Sequence, residues 1–370
     1  MVSGPVEPSV IARSEINQRV HAAMAIPDFW GVTDKGECLP PLCVEIQPTA
    51  HCHRTCSFCS HIIRNRRGGS LTEHDIHGLL DQLRDMRVPL VAFSGGGEPL
   101  HWANGDIFAT IARAAESFDV SLTTSGDQLL DSTTEKLRPE AAQVLRSCSA
   151  IYLNIPAVDE QSFARQVRGP LGWHHTSRML RDLVELRDGM TNDSHCVIVG
   201  VVVLSTFNIS QVAEIDRVLS EHGVDAIYYK QWKNFEKRNV AKVKLADQTL
   251  LASLRPIRPS DRSADLARFI VGLEVRDEEH HPCWSNRLSY DAIVDPDGDV
   301  YLCTPTVGKP EHAIGNLDDG PFPDLWASAR RTRRLRVLNT LSATGVCPSE
   351  CRHHRDNSRL DRVIARGSGG

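Results

Sequence analysis

No run of apolar residues in this 370-residue sequence approaches the roughly 20 needed to cross a bilayer. The opening Met1-Val2-Ser3-Gly4-Pro5 has no basic region followed by an apolar core. Neither a membrane anchor nor an export signal is predicted, and a cytoplasmic location is expected. An excess of positive charge is missing too. The formal net charge is −5, which argues against a general nucleic-acid surface. Internal repeats and long low-complexity tracts are absent. What is there, 41% hydrophobic and 24% charged residues, is ordinary for a globular chain with room for one large domain and a smaller one.

Eleven cysteines in a cytosolic protein point to metal or redox chemistry rather than a disulfide framework. Cys52, Cys56 and Cys59 stand with three, then two, residues between them. Three thiolates in one loop can grip three irons of a [4Fe–4S] cube. The next cysteine is Cys148, too distant to join, so one iron stays open. The alternative is zinc, with His51 or His53 as a fourth ligand. Farther on, the apolar run Leu90–Phe93 leads into Ser94-Gly95-Gly96-Gly97-Glu98-Pro99. A zinc knuckle gives no reason for this second motif. The two together resemble the radical S-adenosylmethionine (radical SAM) superfamily, whose signature is C-x3-C-x2-C followed by a GGEP-like turn.

Strand and helix patterns alternate around these motifs. Strands are predicted at 43–47, 90–93, 120–124, 151–155, 196–204 and 226–230. Helices are predicted at 14–24, from Thr72 onward with Ile76, Leu79, Leu80 and Leu83 on one face, and at 106–117, 133–146 with a break at Pro139, 177–187 and 209–222. Six such units predict an α/β fold with a parallel sheet. The pattern alone permits either an open doubly wound sheet or part of a barrel. The resemblance implies a partial (β/α)6 barrel with the cluster at the C-terminal ends of its strands.

A second cysteine set lies beyond. Cys283 precedes two alternating runs around Asp295-Pro296-Asp297-Gly298-Asp299, which read as a hairpin ending at Cys303. Ile314-Gly315-Asn316-Leu317, a helix around 325–338, and Cys347 with Cys351 follow. Four thiols suffice for a second [4Fe–4S] cluster, with a structural zinc as the alternative. The pattern resembles the twitch/SPASM-like α+β extension of radical SAM enzymes. The expected layout is an N-terminal extension (1–40), a core barrel (41–233), a linker (234–280), a cluster domain (281–356) and a tail (357–370).

The resemblance implies two [4Fe–4S] clusters and S-adenosylmethionine as cofactors. It implies that Cys52, Cys56 and Cys59 generate the 5′-deoxyadenosyl radical from a cluster whose open iron chelates the cofactor. Gly95, Gly96, Gly97 and Glu98 are then expected to cradle the methionine, with Phe58 near the adenine. Ser125 and Asn154 are expected at the ribose and Arg168 at the carboxylate. Tyr229, Lys230 and Trp232, ending the last core strand, are candidate substrate contacts. Cys38, Cys43, Cys148 and Cys196 are spare; a radical epimerase would need one such thiol to return a hydrogen atom. The basic runs 64–67 and 330–336 read as solvated faces or anion sites.

The short N-terminal segment favours a small polyhydroxylated substrate over a leader-bearing peptide. The chain also resembles the twitch-bearing aminocyclitol dehydrogenases of aminoglycoside antibiotic pathways, which implies a radical SAM oxidoreductase. It would dehydrogenate a secondary alcohol of an aminocyclitol or sugar in antibiotic biosynthesis, supplied with electrons by a flavodoxin- or ferredoxin-type partner. A redox-neutral epimerase or dehydratase comes second, and peptide modification third.

Overall fold

The computed structural model describes residues 38–59, 68–190, 196–205, 207–231, 283 and 291–343. The helix expected at 14–24, the basic run 64–67, the 234–280 linker, Trp232, Cys347, Cys351 and the tail lie outside them. In chain order the elements are β1 (Cys43–Ile46), β2 (Thr55–Cys56), α1 (Glu73–Asp85), β3 (Leu90–Phe93), α2 (Ile107–Ala115), β4 (Asp119–Thr124), β5 (Leu130–Asp131), β6 (Lys136–Leu137) and α3 (Pro139–Ser147). Then come β7 (Ala150–Asn154), α4 (Glu160–Gln166), β8 (Val167–Arg168), α5 (Trp173–Gly189), β9 (Val197–Leu204), α6 (Val212–Glu221) and β10 (Ala226–Gln231). The last are β11 (Asp291–Val294), β12 (Asp299–Tyr301), β13 (Gly315–Asn316), α7 (Phe322–Trp326) and α8 (Ala329–Ala343).

The chain forms two compact units that interleave in sequence. One comprises residues 1–47, 71–92 and 277–370; the other comprises 48–70 and 93–276. β1 and α1 group with the C-terminal residues.

In the unit holding residues 93–276, β4, β7, β9 and β10 lie side by side in that order, all parallel. A parallel strand covered on both faces needs apolar residues throughout, and Val197–Leu204 supplies them. Ile111, Leu145, Leu183 and Ile215, one from each of α2, α3, α5 and α6, are fully buried. Asp106 caps α2 by accepting from the Phe108 and Ala109 N–H groups at 3.0 and 3.1 Å. Because the pairing is parallel, Thr124, Asn154 and Leu204 end at one common edge.

The helix expected over 133–146 is shorter. Asp131 accepts from the Thr133 and Thr134 N–H groups at 2.8 Å each, closing a turn between β5 and β6. Proline, which lacks the N–H an interior position needs, then opens α3 at Pro139.

In the other unit, β1 sits between β3 and β11 and pairs with β11 in parallel register, Cys43 to Asp291 through Ile46 to Val294. The cap on α1 is reciprocal, Thr72 with Asp75, and Ile76, Leu79, Leu80 and Leu83 are buried as the periodicity predicts. The helix expected around 325–338 divides into α7 and α8. Ser328 accepts from the Arg331 N–H at 3.1 Å and starts a new helix. Trp326 is fixed at the end of the old one by its indole N–H on Leu39 O, at 2.8 Å.

Candidate radical and cluster sites

The cysteine loop enters over a backbone lattice. Thr49 bridges to Ser70, and the Ala50 N–H donates to Gly69 O at 2.9 Å. The glycine-rich turn closes the other side: the Gly97 N–H donates to Thr49 O at 2.7 Å and the Glu98 N–H to His51 O at 2.8 Å. Gly95 and Gly96 hold φ of +53° and +69°, the left-handed region that favours glycine. Gly97 is small for another reason. A Cβ there would lie 2.7 Å from the Ala50 carbonyl carbon and closer still to the His51 carbonyl. The expected cradle glycine thus touches the cysteine loop itself.

Within the loop, β2 pairs antiparallel with β8, Thr55 opposite Arg168 and Cys56 opposite Val167. The Ser57 N–H donates to Gln166 O at 2.8 Å and the Cys59 N–H to Cys56 O at 3.1 Å. The Arg54 N–H points at Cys52 Sγ, 3.4 Å away. Burial pushes the Cys56 thiol up to about 12, aided by Cys59, and the more exposed Cys52 up to about 11. Each thiol is thus within electrostatic reach of the others, although among the described residues no three His, Cys, Asp or Glu side chains already form a metal-holding group. The donor set fits an iron–sulfur cube: three soft sulfurs in one short loop, their protons to be released on loading.

His53 and Arg54, between the first two cysteines, both serve Asp127. Arg54 Nε–H donates to Oδ2 at 2.6 Å, Nη2 donates to Oδ1, and Nη2 reaches Thr176 Oγ1 at 3.5 Å. The His53 Nε2 also meets Oδ2. Asp127 and Arg54 are only 3% and 4% exposed, so this ion pair is fully desolvated. Burial opposes ionisation of Asp127, but the His53 hydrogen bond and the Arg54 guanidinium hold its carboxyl below the ordinary range. Arg54 also lies 5.5 Å over the Phe163 ring. The sequence reading missed Arg54 and Asp127, and its suggestion of His53 as a zinc ligand gives way to this bond. The only sequence signal was their place, one inside the cysteine motif and one straight after Thr124-Ser125-Gly126.

The Glu98 carboxylate is buried and already accepts from the Thr124 hydroxyl, from the Ser125 N–H at 2.8 Å and from the Leu100 N–H at 3.3 Å. It ties the glycine turn to the end of β4. Asn154, at the end of β7, has a buried Oδ1 without a hydrogen-bond partner, which suits a bound hydroxyl or amine. Phe58 packs with Ala157, Phe163 and Val167. Arg168 is exposed.

Of the expected substrate contacts, Tyr229 is buried, and its hydroxyl donates to Asp216 of α6 at 3.2 Å. It therefore faces the helix. Alternation sends Tyr228 and Lys230 to the opposite face, with the ammonium 5.0 Å over the Tyr228 ring. That face also carries Tyr152, Val199 and Val201, which sequence reasoning had not singled out. Cys148 and Cys196 precede β7 and β9, at the N-terminal ends of the strands, and both are 3% exposed. Burial pushes Cys148 well up and Cys196 up to about 12. They lie at the opposite end from Ser125 and Asn154, so neither can return a hydrogen atom there.

In the other unit, Cys303 follows β12 and Cys283 is buried. The hairpin is a tight carboxylate-centred turn. Asp295 Oδ1 accepts from the Asp297 and Asp299 N–H groups at 3.0 Å each, and Gly298 holds φ of +80°. Burial and the Asp299 charge raise the Asp295 carboxyl to about 7. Asn316 Nδ2 donates to Asp297 O and Asp299 Oδ1, both at 2.9 Å, locking β13 to the turn.

Residues 46–219 match the Radical SAM superfamily, and residues 283–353 match SPASM, an iron–sulfur cluster-binding domain. Mycofactocin maturase MftC of Mycobacterium ulcerans (strain Agy99) is 24% identical over 326 residues, spanning 83% of this chain and 80% of that protein. The MftC of Mycobacterium tuberculosis (strain ATCC 25618 / H37Rv) is also 24% identical, spanning 83% and 75%. Among solved structures, Streptococcus suis SuiB bound to precursor peptide SuiA superposes with a TM-score of 0.58 at 17% identity, covering 81% of this chain and 68% of that one. The anSMEcpe structure with bound AdoMet gives 0.57 at 16%, covering 81% and 84%. These likenesses show a shared fold, a parallel-dominated α/β partial barrel with a C-terminal iron–sulfur extension. No helix among the described residues is long and apolar enough to cross a membrane.

Proposed function

We propose that this chain, which belongs to the radical SAM superfamily and carries a C-terminal SPASM domain, is an enzyme that oxidatively modifies a peptide. As a member it binds a [4Fe–4S] cluster and S-adenosylmethionine, with further iron–sulfur ligation in the SPASM domain. The observation that carries the peptide reading is the alignment with proteins named maturases over 83% of this chain. SuiB, of the same fold, was solved with a precursor peptide bound to it. The expectation of an aminocyclitol or sugar rested on a resemblance to aminocyclitol dehydrogenases and on the brevity of the N-terminal segment, whereas the maturase relatives fit the third option, peptide modification. A role in antibiotic biosynthesis is not confirmed by these relatives.

In this reading Cys52, Cys56 and Cys59 hold the first cluster. Bound together, cluster and S-adenosylmethionine supply a carbon-centred radical able to take a hydrogen atom from an unactivated C–H bond. The chain's own residues orient and shield. Gly95 and Gly96 turn the backbone back toward the loop, while Gly97 and Glu98 fix that turn to the residues before Cys52 and to β4. Ser125 and the unpartnered Asn154 Oδ1 receive polar groups of the cofactor, with Phe58 and Arg168 at the margin. Tyr228 and Lys230 offer a half-buried apolar face with one positive charge to the peptide. Cys283 and Cys303, with Cys347 and Cys351, supply thiolates for the second cluster, which we assign to carrying off the second electron of the oxidation.

The test uses anaerobically reconstituted full-length protein with S-adenosylmethionine and dithionite. Synthetic peptides and aminocyclitols are supplied in parallel. A peptide that raises 5′-deoxyadenosine formation and loses two hydrogen atoms supports the reading. Stimulation and oxidation of an aminocyclitol, with no response to peptides, would overturn it. Cys303→Ala should retain 5′-deoxyadenosine formation and lose the oxidised product.

A further inference from the structure

The Asp127 network has a geometry that a surface ion pair would not need. Three nitrogens of two residues converge on one carboxylate, and both residues lie between the first and second cysteines. Asp127 itself stands in the turn after β4, more than seventy residues away. That turn is closely packed. Gly126 holds φ of +78°, and a Cβ there would meet Met179 Cε at 2.5 Å. Thr176 of α5 supplies a further anchor for the guanidinium, 3.5 Å away. A rigid strand end and a helix therefore clamp a loop with little regular structure of its own: one two-residue strand pairing and two backbone hydrogen bonds. Two polar atoms of the clamp remain unspent. Arg54 Nη1 and His53 Nδ1 are buried and have no hydrogen-bond partner.

We propose that Asp127 is a positioning residue which, through Arg54 and His53, presets the Cys52–Cys59 loop in the shape that receives the first cluster. The inference rests on those three cysteines being the ligands, but the clamp's own hydrogen bonds to Asp127 involve none of their thiols. Arg54 is suited to this role in a way lysine is not, because a planar fork fixes orientation where a point charge fixes only distance. The Arg54 backbone N–H also meets the Cys52 sulfur, so one residue both joins the clamp and contacts a ligand. Loss of the clamp leaves the cysteines in the chain but releases the backbone that spaces them.

Two measurements separate the clamp from the cluster. The first is amide hydrogen exchange in the iron-free protein. Asp127→Asn should raise exchange at Ser57 and Cys59, whose N–H groups are bonded in the present loop, by about tenfold or more, while β9 amides stay protected. The second is release of iron from the reconstituted protein to a chelator, which should quicken by a similar factor for the first cluster alone. Arg54→Lys, which keeps the charge but not the fork, should fall between wild type and Asp127→Asn in both. Unchanged loop exchange in both variants would overturn the proposal, as would faster exchange with wild-type iron retention and an unaltered electron paramagnetic resonance signal. Should Asp127→Asn not fold, normal exchange and retention in Arg54→Lys would overturn it equally. Iron content left unchanged by replacement of Cys52, Cys56 and Cys59 with alanine would refute the ligand assignment instead, and the exchange measurement would still decide the clamp.

Discussion

Gly97→Ala puts the loop entry to a direct test. Gly97 is not among the residues with positive φ, so backbone strain plays no part. The perturbation is one methyl group placed against the Ala50 and His51 carbonyls, 2.7 Å or nearer. Those atoms are backbone, so no side chain can swing away. Relief requires residues 50–51 to move, stretching the Gly97–Thr49 and Glu98–His51 hydrogen bonds of 2.7 and 2.8 Å. Two backbone bonds at about 1 kcal/mol each, with about 1–3 kcal/mol for overpacking, give a loss of about 3–5 kcal/mol. For a domain of this size, that lowers the melting temperature by roughly 10 °C. Thermal unfolding followed by circular dichroism on iron-free protein isolates this effect from any cofactor contact. Wild-type melting of the iron-free variant, with only S-adenosylmethionine binding lost, would show that Gly97 answers to the cofactor and not to the loop.

The hairpin carboxyl gives a pH dependence. Asp295 has a folded-state value of about 7 against an unfolded value of about 4. The folded state therefore holds the extra proton between them, and stability falls as pH rises from about 4 to about 7, by at most about 1.4 kcal/mol per pH unit. Melting curves across that range should show this slope, and Asp295→Asn, which keeps the Oδ1 acceptor, should flatten it. Glu98→Gln sets an amide donor against hydroxyl and N–H donors and should cost about 1–3 kcal/mol in a denaturant titration. Tyr229→Phe should lose about 1 kcal/mol of stability with turnover intact, since its hydroxyl bonds only within the core. Cys148→Ala and Cys196→Ala should leave turnover and solvent-deuterium content of the product unchanged; loss of activity at normal stability would refute their placement at the far strand ends.

The motifs were legible because their chemistry lies in close spacing. Cys52, Cys56 and Cys59, the glycine turn, and the Asp295–Cys303 hairpin each occupy a few consecutive residues, and all fell where the pattern put them. The six core strands were equally plain, since parallel pairing demands apolar runs. Partners distant in sequence left no such trace. Nothing local in Glu98 says that it holds Thr124, or in Arg54 that it answers to Asp127. Parity misled at Tyr229: the strand was right, but a strand end offers two faces, and only the Asp216 bond shows which one the ring takes. Pro139 was read as a break inside a helix when it begins one, because Asp131 had already turned the chain.

The pairing of β1 with β11 has a consequence for synthesis. The strand that leads into the cysteine loop, residues 43–46, completes its ladder on residues 291–294. At about 5–20 residues per second, the partner emerges many seconds after the loop does. Until then the β11-facing edge of β1 is without its neighbour, and Val44 and Ile46, with no exposed surface in the finished protein, have one cover fewer. A chain cut ahead of the hairpin would keep all three radical-domain cysteines yet carry that open edge permanently. Shortened versions should therefore aggregate, and iron delivered to the nascent loop would meet a strand not yet pinned in register.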